Sequence, residues 1–281
     1  MSSKYMAYVG SYSYTGKAKG ITVFDVDVEN GMFKERCEIE VDNSSYVIAS
    51  SDGKTLYSIA DEGVVSFRIR PNGSLARLNS SSIRGMRGCH LCTDEEDKYV
   101  FVSGYHDGKT TVLNLNPDGS VGKIVDGVFD RGYGSVAERN FRPHVTCTRR
   151  MPDNRFVLSV DNGIDQVKIY RFNDKEQKLV QVDAIRCDLE SAPRHFRYSK
   201  DGKFIYLMYE LKKAIEVYTY KTGDRAPVIE KIQTISTTST KKPDNLTAAC
   251  AMRMSIDQKY IYCTNAGENT ISVYKRDEET G

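Results

Sequence analysis

The sequence predicts an all-β protein built from a repeated antiparallel sheet, and three observations support this prediction. A short turn of the Asp-Gly-Lys kind, followed by an apolar strand, recurs at intervals of roughly fifty residues. Each interval holds segments that are typical of four short strands. No segment has the period of a convincing amphipathic helix. Together these features are typical of a β-propeller, in which each repeat forms one four-stranded blade.

The recurring turns share an acidic residue, a turn residue and a basic residue, placed directly before an apolar or aromatic strand. They are Asp52-Gly53-Lys54, Glu96-Asp97-Lys98, Asp153-Asn154-Arg155, Asp201-Gly202-Lys203 and Asp257-Gln258-Lys259. A single sheet of this size cannot bury both of its faces, so the repeats are expected to pack against one another.

One repeat illustrates the predicted strands. Segments 193–199, 204–209, 214–220 and 228–235 are separated by polar or glycine-containing turns. The second segment is continuously apolar and aromatic, and the third alternates apolar and polar residues. This order predicts a four-stranded meander with short connections.

The strand count predicts an incomplete set of blades within one propeller domain spanning residues 1–281. Segments 5–12, 20–26 and 33–41 resemble the second, third and fourth strands of a blade without its first strand. Full repeats are expected to begin near four residues: Tyr46, Cys89, Pro143 and Pro193. A sixth begins near Ala248 and ends after its third strand, 270–274. We therefore expect about five and a half repeats, with the C-terminal blade and the closing strand absent from this chain.

Composition excludes several classes of function. The 281 residues carry 40 basic and 38 acidic side chains, a net charge of +2, which argues against a dedicated nucleic-acid binder. No apolar run is long enough to span a membrane, and the N-terminus lacks the apolar region of a signal peptide. The seven cysteines are an odd number without a regular framework, which favours free thiols and a cytoplasmic location.

Three of the four histidines occupy one place in the repeat. His90, His144 and His195 each open the first strand of a blade, and Arg142 and Arg194 lie beside two of them. The first strand of a propeller blade is the innermost, so these side chains are expected to converge on one pocket. Imidazole titrates near neutrality and guanidinium binds anions with two hydrogen bonds, so the set suits acid–base chemistry on an anion. The alternative is that these polar residues only tie neighbouring blades together.

Two acidic positions complete the candidate set. Glu210 follows the apolar strand 206–209, where it is expected either to act as a base or to fix Arg194; a solvated strand-end glutamate is the alternative. Asp161 and Asp165 are expected to shape a turn between strands. Cys89 and Cys92 have a metal-like spacing, but no second ligand cluster accompanies them, so no metal or other cofactor is expected.

Several stretches, taken together and in order, resemble one known family over nearly the whole chain. The matching stretches are 8–12 (YVGSY), 20–24 (GITVF), 43–46 (NSSY), 161–167 (DNGIDQV), 193–195 (PRH) and 265–271 (NAGENTI). They resemble the seven-bladed lactonase family, the group of the propeller-type bacterial 6-phosphogluconolactonases and the fungal carboxy-muconate cyclases.

The resemblance implies a central cleft whose His, Arg and Glu correspond to His144, Arg194 and Glu210. It implies hydrolysis of a small anionic sugar lactone, above all 6-phosphogluconolactone, a step of the pentose phosphate pathway. Arg194 and Arg142 would then hold the phosphate or the oxyanion. His144 or Glu210 would activate water, and His195 would donate to the leaving oxygen. The expected substrate-binding residues are His90, Arg142 and His195.

Two departures from the family pattern leave other functions open. Cys250 stands where an acid is usual, and Ala266 follows Asn265 where an Arg is usual. A lactonase or cyclase acting on a carboxylated, non-phosphorylated compound is one alternative, and a non-catalytic propeller that binds a ligand or protein is another. The sequence does not fix the oligomeric state.

Overall fold

The computed structural model of the chain describes residues 5–135, 141–239 and 246–281. These residues form 22 strands and no helix, arranged as six antiparallel sheets in chain order. The first and sixth sheets have three strands and the other four sheets have four, as the strand count predicts. The chain divides into two compact units, Met1–Gly127 and Val128–Gly281, with the boundary near the end of the third sheet.

Three sheets lie in the first unit, apart from the last two residues of the third sheet. The first holds β1 (Tyr5–Gly10), β2 (Gly20–Asp27) and β3 (Met32–Glu40). The second holds β4 (Val47–Ala49), β5 (Thr55–Ala60), β6 (Gly63–Ile69) and β7 (Leu75–Ser82). The third holds β8 (His90–Thr93), β9 (Tyr99–Gly104), β10 (Lys109–Leu115) and β11 (Val121–Phe129).

The other three sheets belong to the second unit. The fourth holds β12 (Val145–Arg150), β13 (Phe156–Asp161), β14 (Gln166–Arg171) and β15 (Val180–Arg186). The fifth holds β16 (Pro193–Tyr198), β17 (Phe204–Tyr209), β18 (Ala214–Lys221) and β19 (Val228–Ser236). The sixth holds β20 (Ala248–Met254), β21 (Tyr260–Ala266) and β22 (Thr270–Lys275).

The first predicted strand is two residues too long. It ends at Gly10 rather than at residue 12. The backbone amides of Ser13 and Tyr14 donate to Oδ1 of Asn43 at 2.9 and 3.0 Å, so the chain leaves the ladder there to bind a side chain. Such a hydrogen bond from a distant side chain is not visible in the local pattern.

Hydrogen bonds to a serine and an aspartate side chain shape three of the recurring turns. Ser199 Oγ donates to Asp201 at 2.5 Å and accepts from the amide of Phe204 at 3.0 Å, while Asp201 accepts from the amide of Lys203. Gly202 has a φ of +70°, which favours glycine. The turns at Ser50 and Ser255 repeat these bonds, so the strand that follows each turn starts in a fixed register.

The core of the second unit lies between adjacent sheets. Strand β17 is buried along its whole length, and its side chains alternate between two clusters. Leu207 and Tyr209 pack with residues of the fourth sheet, such as Phe156. Tyr206 and Met208 pack with residues of the sixth sheet. The continuous apolar run of this strand therefore reflects burial on both faces.

The structure has all seven cysteines as free thiols, as predicted. No helix in the described ranges is long and apolar enough to cross a membrane. The cytoplasmic location stays a prediction.

Candidate active site

The first strand of each sheet in the second unit contains a register shift near its start. In β12, β16 and β20 the shift places Thr146, Arg194 and Cys250 at equivalent bulge positions. A bulge leaves one residue outside the regular ladder and redirects its side chain. The equivalence follows from the repeat, but the bulge itself has no signal in the sequence.

Hydrogen bonds join the three bulges in one direction. Oγ1 of Thr146 donates to the carbonyl of Arg194 at 2.7 Å, and Nε of Arg194 donates to the carbonyl of Cys250 at 3.0 Å. Each side chain therefore reaches the bulge of the next sheet. The family resemblance implies an acid at Cys250. Here the backbone carbonyl oxygen of Cys250, and not a carboxylate, holds Arg194.

Glu210 directly follows β17 and is buried beside Arg194. Its Oε2 accepts from Nη1 of Arg194 at 2.5 Å and from Nδ2 of Asn162 at 3.2 Å. The Glu210 side chain is 8% exposed, whereas the Arg194 side chain is 34% exposed. The carboxylate is thus enclosed, while part of the guanidinium faces solvent. A buried, ion-paired Glu210 rules out the alternative of a solvated strand-end glutamate.

His144 lies next to this pair through the turn that follows β13. Its carbonyl accepts from the amide of Asn162 at 2.9 Å, and the Asn162 side chain donates to Glu210. Asn162 therefore bridges His144 and Glu210, so the three candidate catalytic residues lie at one end of the second unit. The sequence did not single out Asn162, because Asp161 and Asp165 already accounted for the predicted turn.

The turn after β13 requires a glycine. A Cβ on Gly163 would lie 1.7 Å from the carbonyl oxygen of Arg142 and 2.8 Å from Cδ2 of His144. Such distances are far below any contact that real side chains show, so the backbone of Gly163 lies directly against His144. The close approach keeps the imidazole against this turn.

Asp161 shapes the turn, as predicted, and also holds His144. Its Oδ1 accepts from the amides of His144, Gly163 and Ile164 at 2.8, 2.9 and 3.3 Å. Asp165 has a similar role in the next loop, where it accepts from the amides of Glu190 and Ala192.

Asp161 also faces a second carboxyl group, that of Asp130. Both residues are buried, and within the described part of the chain no N–H or hydroxyl donor reaches Oδ2 of either one. Tyr170 donates to Oδ1 of Asp130 at 2.8 Å. Burial, and then the Asp130 carboxyl, raise the pKa of Asp161 to about 8. Asp161 thus keeps its proton at pH values where an ordinary aspartate is ionised.

Asp161→Asn is expected to flatten the pH dependence of stability. Because the pKa of Asp161 is raised from 3.8 to about 8 in the folded protein, the folded state keeps a proton that the unfolded chain releases. The free energy of unfolding should therefore fall as the pH rises between these two values. Asparagine retains Oδ1 for the three amides but does not titrate. Chemical denaturation of both proteins across this range measures the two slopes.

The matched control for Asp161→Asn is Asp224→Asn, at an exposed loop position. It should keep the parental slope. An Asp161→Asn slope equal to that of the parent would show that Asp161 does not titrate differently in the folded state.

The expected substrate-binding residues lie in different surroundings. The guanidinium of Arg142 lies over the ring of Phe141, 5.6 Å from its centroid, and that ring is 6.3 Å from the ring of His144. His195 is buried, and burial, followed by the nearby arginines Arg197 and Arg194, lowers its pKa well below the ordinary value. His90 belongs to the first unit, where it is fully buried and its ring lies 4.9 Å from that of Tyr46.

The described ranges contain no group of three or more His, Cys, Asp or Glu side chains placed to hold a metal ion.

Comparisons with known proteins agree with this architecture. Residues 6–281 match the model of the family "Lactonase, 7-bladed beta-propeller". A 6-phosphogluconolactonase of Bacillus subtilis is 30% identical over 99% of this chain and 80% of its own length. A solved putative 6-phosphogluconolactonase of Bacteroides fragilis has a TM-score of 0.87 and 29% identity, covering 100% of this chain and 80% of its own.

A periplasmic gluconolactonase of Pseudomonas aeruginosa has a TM-score of 0.90 at 24% identity, over 99% of this chain and 81% of its own, which supports the fold alone. The family match over residues 6–281 is what decides the assignment, since it includes all six sheets and every candidate residue. The chain thus belongs to the seven-bladed β-propeller lactonase family, a family of lactone hydrolases.

Proposed function

We propose that the protein hydrolyses an anionic sugar lactone, with 6-phosphogluconolactone as the substrate. The observation that carries the proposal is the linked set His144, Asn162, Glu210 and Arg194, which joins an enclosed carboxylate to a partly exposed guanidinium. The Bacillus subtilis relative, which bears the name of this activity, supports the choice of substrate. The product, 6-phosphogluconate, belongs to the pentose phosphate pathway.

The reaction adds water to an activated ester. The oxygen of water attacks the lactone carbonyl, whose oxygen becomes an oxyanion, and the bond to the ring oxygen then breaks. A proton passes from the water to the ring oxygen, which leaves as a hydroxyl group. Each step needs only a donor for the oxyanion and a group that moves this proton.

We assign Arg194 the role of the oxyanion donor. Nε is engaged by Cys250 and Nη1 by Glu210, so the guanidinium plane is fixed before substrate arrives. The Arg194 side chain is partly exposed, so a ligand can approach the guanidinium. A donor that is already oriented stabilises a developing charge without reorganisation.

Two groups can move the proton. His144 is buried beside the turn at Gly163, and Glu210 is buried beside Arg194. If imidazole is the base, the His144→Ala variant loses the acidic limb of the pH profile. If Glu210 is the base, the limb remains in His144→Ala and is lost in Glu210→Gln.

The test is the rate of acid formation from freshly prepared 6-phosphogluconolactone, corrected for spontaneous ring opening. The parent should exceed the spontaneous rate and should prefer this substrate to glucono-1,5-lactone. A preference for a carboxylated, non-phosphorylated lactone would replace the substrate but keep the reaction. A rate no greater than the spontaneous one on every lactone would leave a non-catalytic binding module as the function.

The binding-module alternative is favoured by two positions. Cys250 offers its carbonyl to Arg194 while its sulfur lies 3.4 Å from the carbonyl oxygen of Ala248, and Ala266 ends β21 with a methyl group. Neither position supplies the charged side chain that the family resemblance implies. Restoring activity with Cys250→Asp or Ala266→Arg in an inactive parent would identify the cause.

A further inference from the structure

Three arginines outside the linked set occupy one equivalent position in the second unit. Arg149, Arg197 and Arg253 each lie three residues after the bulge of β12, β16 and β20. Because the bulges themselves are joined by hydrogen bonds from Thr146 and Arg194, the three first strands lie side by side. The same step along each strand therefore brings the three arginines into one row, which we call the arginine row.

Two members of the arginine row share one conformation. Nη1 of Arg197 donates to the carbonyl of Phe196 at 3.3 Å, and Nη1 of Arg253 donates to the carbonyl of Met252 at 3.0 Å. Each guanidinium thus folds back on the residue before it. Arg149 and Arg197 are half-buried and Arg253 is exposed, so a solute can reach the row.

The charges of all three arginines in the row act on the imidazole of His195. It lies two residues before Arg197 in β16, on the same side of the strand, and is 8% exposed. After burial, the charges of Arg197, Arg194, Arg149 and Arg253 in that order lower its pKa. The whole row and Arg194 therefore lie within electrostatic range of a single imidazole.

The ion pair with Glu210 offsets the charge of Arg194. The charges of Arg149, Arg197 and Arg253 act together with that of Arg194 on His195, so a ligand with two negative charges is attracted to this place. Guanidinium also matches phosphate geometrically, because its planar fork donates two parallel hydrogen bonds to two oxygens. The chemistry of the row thus fits a phosphate monoester better than a monocarboxylate.

We propose that the arginine row, with His195, is a phosphate-binding subsite that holds the phosphoryl group of the substrate. This assignment rests on the proposed function and deepens it. Arg197 lies three residues from Arg194, about 10 Å along the strand at the usual rise. A phosphoryl group held at Arg197 would then place the rest of the sugar, with its lactone carbonyl, along the strand toward Arg194.

Arg253→Gln and Arg197→Gln test the subsite kinetically. Each should raise KM for 6-phosphogluconolactone by about 10-fold, since each removes a charge-assisted hydrogen bond to the phosphoryl group. KM for glucono-1,5-lactone, which has no phosphate, should change much less. Arg171→Gln, at the exposed end of β14 in the same unit, is the matched control and should leave both values at the parental level.

A binding measurement separates this proposal from the proposed function. Calorimetric titration with inorganic phosphate should detect binding to the parent and to Arg171→Gln, and about 10-fold weaker binding to Arg253→Gln. If the parent hydrolyses no lactone but this pattern holds, the subsite stands and the proposed function fails. If the parent is an active lactonase but Arg253→Gln and Arg197→Gln bind phosphate and the phosphorylated lactone as the parent does, the arginine row is structural and the proposal is overturned.

Discussion

Arg194→Ala is expected to lower kcat for lactone hydrolysis by about 10²–10³-fold, the usual loss for one oriented donor at an oxyanion. The variant removes Arg194, which is the partly exposed member of the ion pair. It leaves the buried Glu210 carboxylate without this cationic partner. Steady-state hydrolysis of 6-phosphogluconolactone, corrected for spontaneous opening, measures the effect. Thermal unfolding of both proteins shows whether the fold is retained.

Two further variants separate catalysis from structure. Arg225→Ala, in an exposed loop of the same unit, should keep the parental rate. Arg194→Lys keeps the charge but cannot donate to Cys250 and Glu210 in one plane, so it should recover only a small part of the lost rate. If Arg194→Ala and Arg225→Ala are equally active on every anionic lactone, Arg194 has only a structural role.

Glu216→Ala is expected to reduce the free energy of unfolding by about 2–3 kcal/mol, the usual cost of removing a charged acceptor from buried hydrogen-bond donors. Glu216 is buried in β18 and accepts hydrogen bonds from the hydroxyls of Tyr209 and Tyr218 and from Nζ of Lys212 and Lys231. Alanine removes the carboxylate that accepts from both buried hydroxyls, which then keep only weaker neutral partners. Denaturant titration of parent and variant measures the difference.

The exposed Glu230 of β19 provides the control, and Glu230→Ala should change stability by less than about 0.5 kcal/mol. The effect of Glu216 should also depend on pH. Burial raises the pKa of Glu216, but hydrogen bonds from Lys212 and the two tyrosines outweigh burial and bring it to about 2. Its contribution is therefore complete above the ordinary value of 4.5 and is lost as the pH falls toward 2. A loss that stays constant over that range would contradict this account.

The repeat could be predicted from the sequence because its signals are local. The Ser50, Ser199 and Ser255 turns are made by residues within five positions of each other, and strand alternation is a property of neighbours. The sheet order and the incomplete first and last sheets follow from these signals. His144, Arg194 and Glu210 could be singled out in the same way, from their places in the repeat.

The connections between these residues could not be predicted in this way. Asn162 reaches Glu210 across 48 positions of sequence, and Asp130 meets Asp161 across a whole strand pair. Arg142 and Arg194 both stand beside a histidine in the sequence, yet Arg142 lies over Phe141 while Arg194 pairs with Glu210. Nothing in either local pattern distinguishes the two arginines.

The sequence by itself determined the repeat, the strands and the type of chemistry, because turn bonding and side-chain alternation act between near neighbours. Only the tertiary structure decided which polar groups meet. The bulges at Thr146, Arg194 and Cys250 redirect one residue in each first strand, and their hydrogen bonds set those strands against each other. Distances between side chains on different sheets depend on that packing, so the site at Glu210 and the arginine row emerge only once the sheets are assembled.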